Sequence, residues 1–258
     1  MLLCIDVGNT ETVVGLFQED NIIAHWRLSS KTPRTADEVF IIIKQWFEHQ
    51  NIQLADLSGF AISSVVPELT YVFETIAKKY FNLDPFVITA TKDMGLDIQY
   101  YPAFTVGADR ICNAVAGYHF YQGPLLIVDF GTAITFDVIS ETGAYLGGII
   151  SLGLTGLSQA LHKQAAKLPK VDLTFPDTVV GTTTEGSIKS GILWGTMSMI
   201  DGLVEKIEIE KGWTQTKVIA TGGMAKSVIQ YSNRIQEARP FLTLEGIKLL
   251  FYKIGKRT

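Results

Sequence analysis

The chain opens on a short apolar run, Leu2-Leu3-Cys4-Ile5, that ends in Asp6, Val7, Gly8 and the polar pair Asn9-Thr10. A second apolar run follows from Thr12 to Phe17. The arrangement returns halfway along, where Leu125 to Val128 ends in Asp129, Phe130, Gly131 and Thr132, and Ile134 to Ile139 follows. Apolar runs this short, bounded by turn residues, read as buried strands. The pattern predicts strands over 2–6, 12–18 and 22–28, with a turn at Asp20-Asn21 joining the last two. Further strands are expected over 60–64, 86–89, 125–129, 135–140, 145–150 and 217–221. Thr35 caps an expected helix to Gln50, with Asp37 and Glu38 in its first turn, and Pro67 opens the next. Helices are also expected from Gly107 to about Tyr121, after Ile150 and ending before Pro169, from Thr183 or Thr184 to about Lys211, and over 224–231 and 244–254. Strands come in threes before helices, so the reading is an α/β chain built from a duplicated βββα unit. The turn signal Gln122-Gly123-Pro124 separates expected domains 1–122 and 123–258.

Composition narrows the class. The 258 residues are 47% hydrophobic, enough for two packed cores. A net charge of -4 without a long basic run excludes an electrostatic footprint for nucleic acid. The basic end from Lys253 to Arg257 reads as a solvated tail. Cys4 and Cys112 both sit in apolar segments, as small hydrophobes in a reducing compartment rather than a disulfide. The start lacks a basic leader, and no apolar run is long enough to cross a bilayer. A soluble, cytoplasmic protein is expected, with no nucleic-acid or membrane partner.

The repeated Asp-x-Gly turns carry the chemistry. Gly8 permits a close turn whose amides, with the Asn9 and Thr10 side chains, can face phosphate oxygens. Asp6 at the strand end can hold hydrated Mg²⁺, which takes one or two carboxylates plus phosphate oxygens. An ordinary hairpin uses the same residue types, and the copy at Asp129 and Thr132 favours phosphate. Gly222-Gly223, between a strand and a helix, permits flat backbone approach to a nucleotide. Gly107-Ala108-Asp109-Arg110 opens an otherwise apolar helix. Asp109 there can orient an attacking hydroxyl and take its proton late in phosphoryl transfer, and Arg110 can pair with an acidic substrate group. A surface ion pair is the plainer reading of both. There is neither a P-loop nor a dinucleotide fingerprint. His25, His49, His119 and His162 lack metal-ligand spacing and read as surface or core residues.

Taken together these segments resemble the type III pantothenate kinases over essentially the whole chain. Asp6–Thr10 matches the family's first phosphate motif, Asp129–Thr135 its second, Thr221–Ala225 its adenosine-side motif and Gly107–Arg110 its substrate motif. Thr35–Glu38, Tyr145–Gly148, Ala166–Pro169, and Gly181 with Thr184 and Ser190-Gly191 are similar as well. The resemblance implies two ribonuclease-H-like domains of the actin and acetate-kinase type, with an ATP cleft between them. It implies transfer of the γ-phosphoryl of ATP to pantothenate, the first step of coenzyme A synthesis. It further implies Asp109 as base, a monovalent cation (K⁺ or NH₄⁺) at Asp129, and ATP contacts from Asp6, Val7, Gly8, Asn9, Thr10, Thr132, Gly222 and Gly223. Mg²⁺ accompanies ATP near Asp6. Pantothenate contacts map to Tyr100, Gly107, Ala108, Asp109, Arg110 and Thr184.

Two local departures stand out. Pro102 falls one place early, leaving Tyr100 or Tyr101 to face substrate, with Tyr100 at the family's distance from Gly107. Ser151-Leu152-Gly153 replaces the family's Ala-Pro-Gly. The long helix after Thr184 carries Gly186, Gly191, Gly195 and Gly202, each costing about 1 kcal/mol against Ala. Internal packing or a helix–helix interface would account for them, and the resemblance favours a homodimer. The competing readings are a sugar or other small-molecule kinase of the same fold, an idle relative acting as a transcriptional accessory protein, and an actin-like structural protein.

Overall fold

The computed structural model describes residues 1–90, 94–165 and 167–255. Ala166 of the 166–169 segment, and Lys256 and Arg257 of the basic end, lie outside the described residues. Contacts divide the chain into two compact units, one from Met1 to Ala116 together with the segment from Leu242 on, the other from Gly117 to Phe241. A single cut at 122/123 is the sequence expectation. In the structure the division falls earlier, and the closing helix joins the first unit.

In the first unit, β1 (Leu2–Val7), β2 (Glu11–Gln18) and β3 (Asn21–Ser29) form an antiparallel meander. β4 (Gly59–Ser64) then adds parallel to β1, and β5 (Phe86–Val87) parallel to β4. The order is β3-β2-β1-β4-β5. The central strand β1 is apolar at successive positions because both of its faces are covered. Leu3, Ile5 and Val7 pack into a core with residues of α1 (Ala36–His49) and α2 (Pro67–Phe81). Helix α1 starts where a capping box closes, Glu38 N donating to Thr35 Oγ1 at 3.3 Å and Thr35 N to Glu38 Oε2 at 2.7 Å. The β2–β3 turn is Glu19-Asp20, with Gln18 opposite Asn21 and Glu19 at φ 54°. It sits one residue before its expected place, and the β2–β3 register shifts at Leu16/Phe17.

Helix α3 (Ala108–Tyr121) leads to the second unit. There β6 (Leu125–Phe130), β7 (Ala133–Ile139) and β8 (Tyr145–Leu152) repeat the meander, followed by α4 (Leu154–Gln164) and α5 (Thr184–Lys211). β9 (Lys217–Thr221) then lies parallel to β6, and β10 (Glu237–Ala238) parallel to β9. The order, β8-β7-β6-β9-β10, repeats that of the first sheet. The helix expected over 224–231 is a four-residue α6 (Ala225–Val228) and a 3₁₀ turn to Tyr231. The chain then turns away at Ser232-Asn233, where Asp201 accepts from Asn233 N at 2.9 Å. Two-residue β10 has no apolar run to announce it.

The closing helix α7 (Leu242–Leu250) continues as a π turn to Gly255. Leu242, Leu244, Ile247 and Leu250 are all buried, a helix apolar on most sides that needs cover all round. Gly246 supplies it by close approach: a Cβ there would stand 2.1 Å from the Cys112 carbonyl oxygen.

Candidate active site

The first unit gathers Asp6, the turn after it, and the head of α3. Gly8 N donates to Glu11 O at 3.0 Å, closing the β1–β2 turn with Asn9 exposed at its tip. Ser30 N donates to Thr10 O at 3.0 Å, and the Thr12 and Ser30 hydroxyls share a hydrogen bond, so the chain after β3 braces the turn. Asp6 is register partner of Ser63 on β4, and Ser63 Oγ donates to Asp6 Oδ1 at 3.2 Å. At the start of α3, Asp109 folds back to accept from Arg110 N at 2.8 Å. A Cβ at Gly107 would stand 2.4 Å from Asp109 Oδ1, so the hooked carboxylate lies tight against this glycine. Burial lifts the Asp109 carboxyl above its ordinary value, while the Arg110 N–H and guanidinium charge oppose the rise. Arg110 itself is 7% exposed. One turn further on, the buried Cys112 thiol is pushed well up, by burial first and then by the charges of Asp6 and Asp109 among others. Tyr100 is 36% exposed and Tyr101 95%, so Tyr100 is the more enclosed of the pair.

The second unit gathers Asp129, Thr132 and Gly222. Asp129, on β6, is register partner of Thr135 on β7 and of Thr221 on β9. Gly131 N donates to Ala133 O at 3.1 Å, leaving Thr132 exposed on a tight turn. Gly222, at φ +90°, presses the turn after β9 onto this one, and a Cβ there would lie 2.4 Å from Asp129 Oδ1. Gly153 closes from the third side, its N–H donating to Thr132 O at 3.2 Å where a Cβ would lie 2.4 Å from the same oxygen. Gly223 is exposed beside Gly222. Thr184 stands exposed as the first residue of α5.

The donor set suits hard cations. Thr221 Oγ1 is buried with no hydrogen-bond partner among the described residues, next across the sheet from the Asp129 carboxylate. A buried orphan oxygen beside a carboxylate matches an ion of the K⁺ type. Asp6 offers the single carboxylate that Mg²⁺ needs when phosphate oxygens supply the rest. Among the described residues no three His, Cys, Asp or Glu side chains cluster as metal ligands, and all four histidines are exposed. Sequence reasoning passed over Ser63, for which a serine inside the apolar strand Phe60-Ala61-Ile62-Ser63 was the available signal. It met Gly153 only as the end of Ser151-Leu152-Gly153 and gave it no role at the site.

Two sheets of one topology, each with an Asp-x-Gly turn at the end of its central strand, define an ATP-using protein of the actin-like, doubled ribonuclease-H-like class. Solved structures share that fold. A protein from Campylobacter jejuni described as a Baf family transcriptional activator matches with TM-score 0.61 and 20% identity, over 99% of this chain and 100% of that one. The activator of 2-hydroxyisocaproyl-CoA dehydratase from Clostridium difficile, with bound ADPNP, gives 0.57 at 13% identity, over 99% and 96%. A ROK hexokinase from Thermus thermophilus gives 0.52 at 15%, over 98% and 99%. The family pattern of the type III pantothenate kinases matches residues 2–206. The chain belongs to that family, and its fold and family make it a kinase.

Proposed function

We propose that the protein transfers the γ-phosphoryl group of ATP to the primary hydroxyl of pantothenate, giving 4'-phosphopantothenate. The observation that carries this reading is the hooked Asp109 at the head of α3, whose Oδ1 accepts from Arg110 N at 2.8 Å. Asp109 accepts a hydrogen bond from the substrate hydroxyl and takes its proton as the P–O bond forms. Its raised proton affinity narrows the mismatch with an alcohol. Arg110 pairs with the substrate's carboxylate, and Gly107, Ala108 and Tyr100 line its approach. The Asp6, Val7, Gly8, Asn9 and Thr10 turn holds phosphates, and Thr132, Gly222 and Gly223 are ATP contacts. Mg²⁺ beside Asp6 would offset charge on the transferring phosphoryl, and K⁺ or NH₄⁺ held by Asp129 and Thr221 would do so without a second divalent ion.

The protein acts as a cytoplasmic homodimer in this reading. A Cβ at Gly191, Gly195 or Gly202 on α5 would meet nothing within 4 Å, so packing among the described residues does not account for these glycines. A second copy closing on the helix supplies the reason. Among the described residues no helix is long and apolar enough to cross a membrane.

The test is ADP release from purified protein with Mg-ATP and pantothenate, in potassium and again in sodium. Pantothenate-dependent turnover that needs potassium supports the reading. Turnover with hexoses instead of pantothenate, or none with either, overturns it.

A further inference from the structure

The turn after β1 carries no positive charge of its own. Asp6, Val7, Gly8, Asn9 and Thr10 bear one negative charge among them, and Glu11 follows with another. Thr132, Gly222 and Gly223 are uncharged, and Arg110 is paired with the substrate's carboxylate. A cation aimed at the charge on the transferring phosphoryl is a regular part of such sites. The chain between β3 and α1 supplies one. Ser29 is register partner of Glu11, whose carbonyl oxygen closes the turn by accepting from Gly8 N at 3.0 Å. Ser30 N donates to Thr10 O at 3.0 Å, and the Ser30 hydroxyl lies 2.9 Å from that of buried Thr12. Ser29 Oγ accepts from Lys31 N at 3.3 Å, which folds the chain back. Arg34 then returns to the same place, its Nη1 donating to Ser29 O at 3.4 Å. That long bond is the guanidinium's only hydrogen bond among the described residues. The Glu38 carboxylate is occupied by Thr35 N and Oγ1, at 2.7 and 2.9 Å. Half-buried Arg34 therefore stands beside the turn with most of its planar N–H fork open. Arg27 on β3 differs, since its Nη1 is already 2.8 Å from Glu11 Oε2 and both side chains are exposed.

Resting on the kinase reading above, we propose that Arg34 is a nucleotide-binding residue that pairs with phosphate oxygens of ATP held on the Asp6–Thr10 turn. A guanidinium meets a phosphate through two parallel N–H···O bonds, so it orients the phosphoryl group as well as offsetting its charge. The hydrogen bonds of Ser30 to Thr10 and Thr12 hold the Arg34 loop against the turn before nucleotide arrives, which leaves less ordering to be done on binding. The role of Arg34 is confined to the nucleotide and the phosphoryl it gives up, and the acceptor alcohol lies outside its reach.

The experiment measures, by calorimetry, the binding of a non-hydrolysable ATP analogue with Mg²⁺ to wild type, Arg34→Gln, Arg34→Lys and Arg27→Gln. Pantothenate kinetics and thermal melting are measured in parallel. A hydrogen bond to a charged group is worth roughly 10-fold or more in affinity. Arg34→Gln, which keeps a donor but loses the charge, is expected to weaken analogue binding by about that factor and lower kcat, with the pantothenate KM within about twofold. Arg34→Lys, a point charge without the fork, recovers part of the loss. Arg27→Gln removes an exposed pair and binds the analogue within about twofold of wild type. Analogue binding within about twofold of wild type in a folded Arg34→Gln protein overturns the inference. So does an equal loss in Arg27→Gln, which is the mark of a general surface field, or a loss that falls on the pantothenate KM alone. Should Arg34→Gln not fold, undiminished analogue binding and kcat in Arg34→Lys overturn it, because a point charge does not reproduce the fork. Wild type that binds no analogue overturns the kinase reading and this inference with it, whereas analogue binding in wild type that equals that in Arg34→Gln leaves the kinase reading standing.

Discussion

Replacing Asp109 by Asn removes proton acceptance and keeps the shape. Asn keeps an oxygen for the Arg110 N–H that Asp109 now receives at 2.8 Å, and it adds no atom near Gly107. General-base catalysis is worth about 10²–10⁴-fold, or roughly 3–5 kcal/mol of barrier. The expected kcat loss lies in that range, with ATP binding kept. Stability should move the other way. Asp109 has its folded-state pKa raised, so the native protein binds the extra proton and the ionised side chain weakens folding once pH rises above the usual carboxylate range. Asn carries no charge to desolvate, which offsets the lost attraction to Arg110. A change under about 1 kcal/mol would keep Tm within about 4 °C at neutral pH. The wild-type rate should fall on acidification with a midpoint above the ordinary carboxylate value, and the variant should lose that limb. The assays are coupled ADP release across pH, nucleotide titration and thermal melting. Turnover within about threefold of wild type in folded Asp109→Asn refutes the reasoning, since a base worth 10² or more cannot be missing at so small a loss.

Three further outcomes are expected. Gly222→Ala forces a side chain to φ +90° and a Cβ to within 2.4 Å of Asp129 Oδ1, so it should destabilise by roughly 1–3 kcal/mol and weaken ATP binding; melting and nucleotide titration check both. Asp129→Ala should flatten the difference between potassium and sodium, and an unchanged cation profile in the ADP-release assay counts against it as ligand. Gly195→Leu projects into open space in the single chain, so folding should survive while the dimer opens; light scattering that still finds a dimer would show that α5 lies elsewhere.

Local sequence was sufficient for each element whose signal is local. The capping box at Thr35 and Glu38, Pro67 at the head of α2, and the apolar runs of β1 and β6 each announce themselves within a few residues, because capping, φ restriction and strand burial act over that distance. The duplicated Asp-x-Gly turn was legible for the same reason, and with it the doubling of the fold. What sequence missed depends on approach between distant segments. Ser63 reaches Asp6 across 57 residues through strand pairing. Gly153 is needed where the turn at Thr132 presses on it, and α7 joins the first unit because Gly246 admits the backbone at Cys112.

The sequence by itself determined the main strands and helices, the two Asp-x-Gly turns and the family. Periodicity, turn chemistry and motif spacing are properties of neighbouring residues, and they survive without a structure. The tertiary structure decided which of those residues meet: that Asp109 hooks back under Gly107, that Asp6 pairs with Ser63, and that Thr221 is left with an unsatisfied oxygen beside Asp129. Burial, desolvation and hydrogen-bond satisfaction are set by atoms brought together from far along the chain, and only the folded arrangement fixes them.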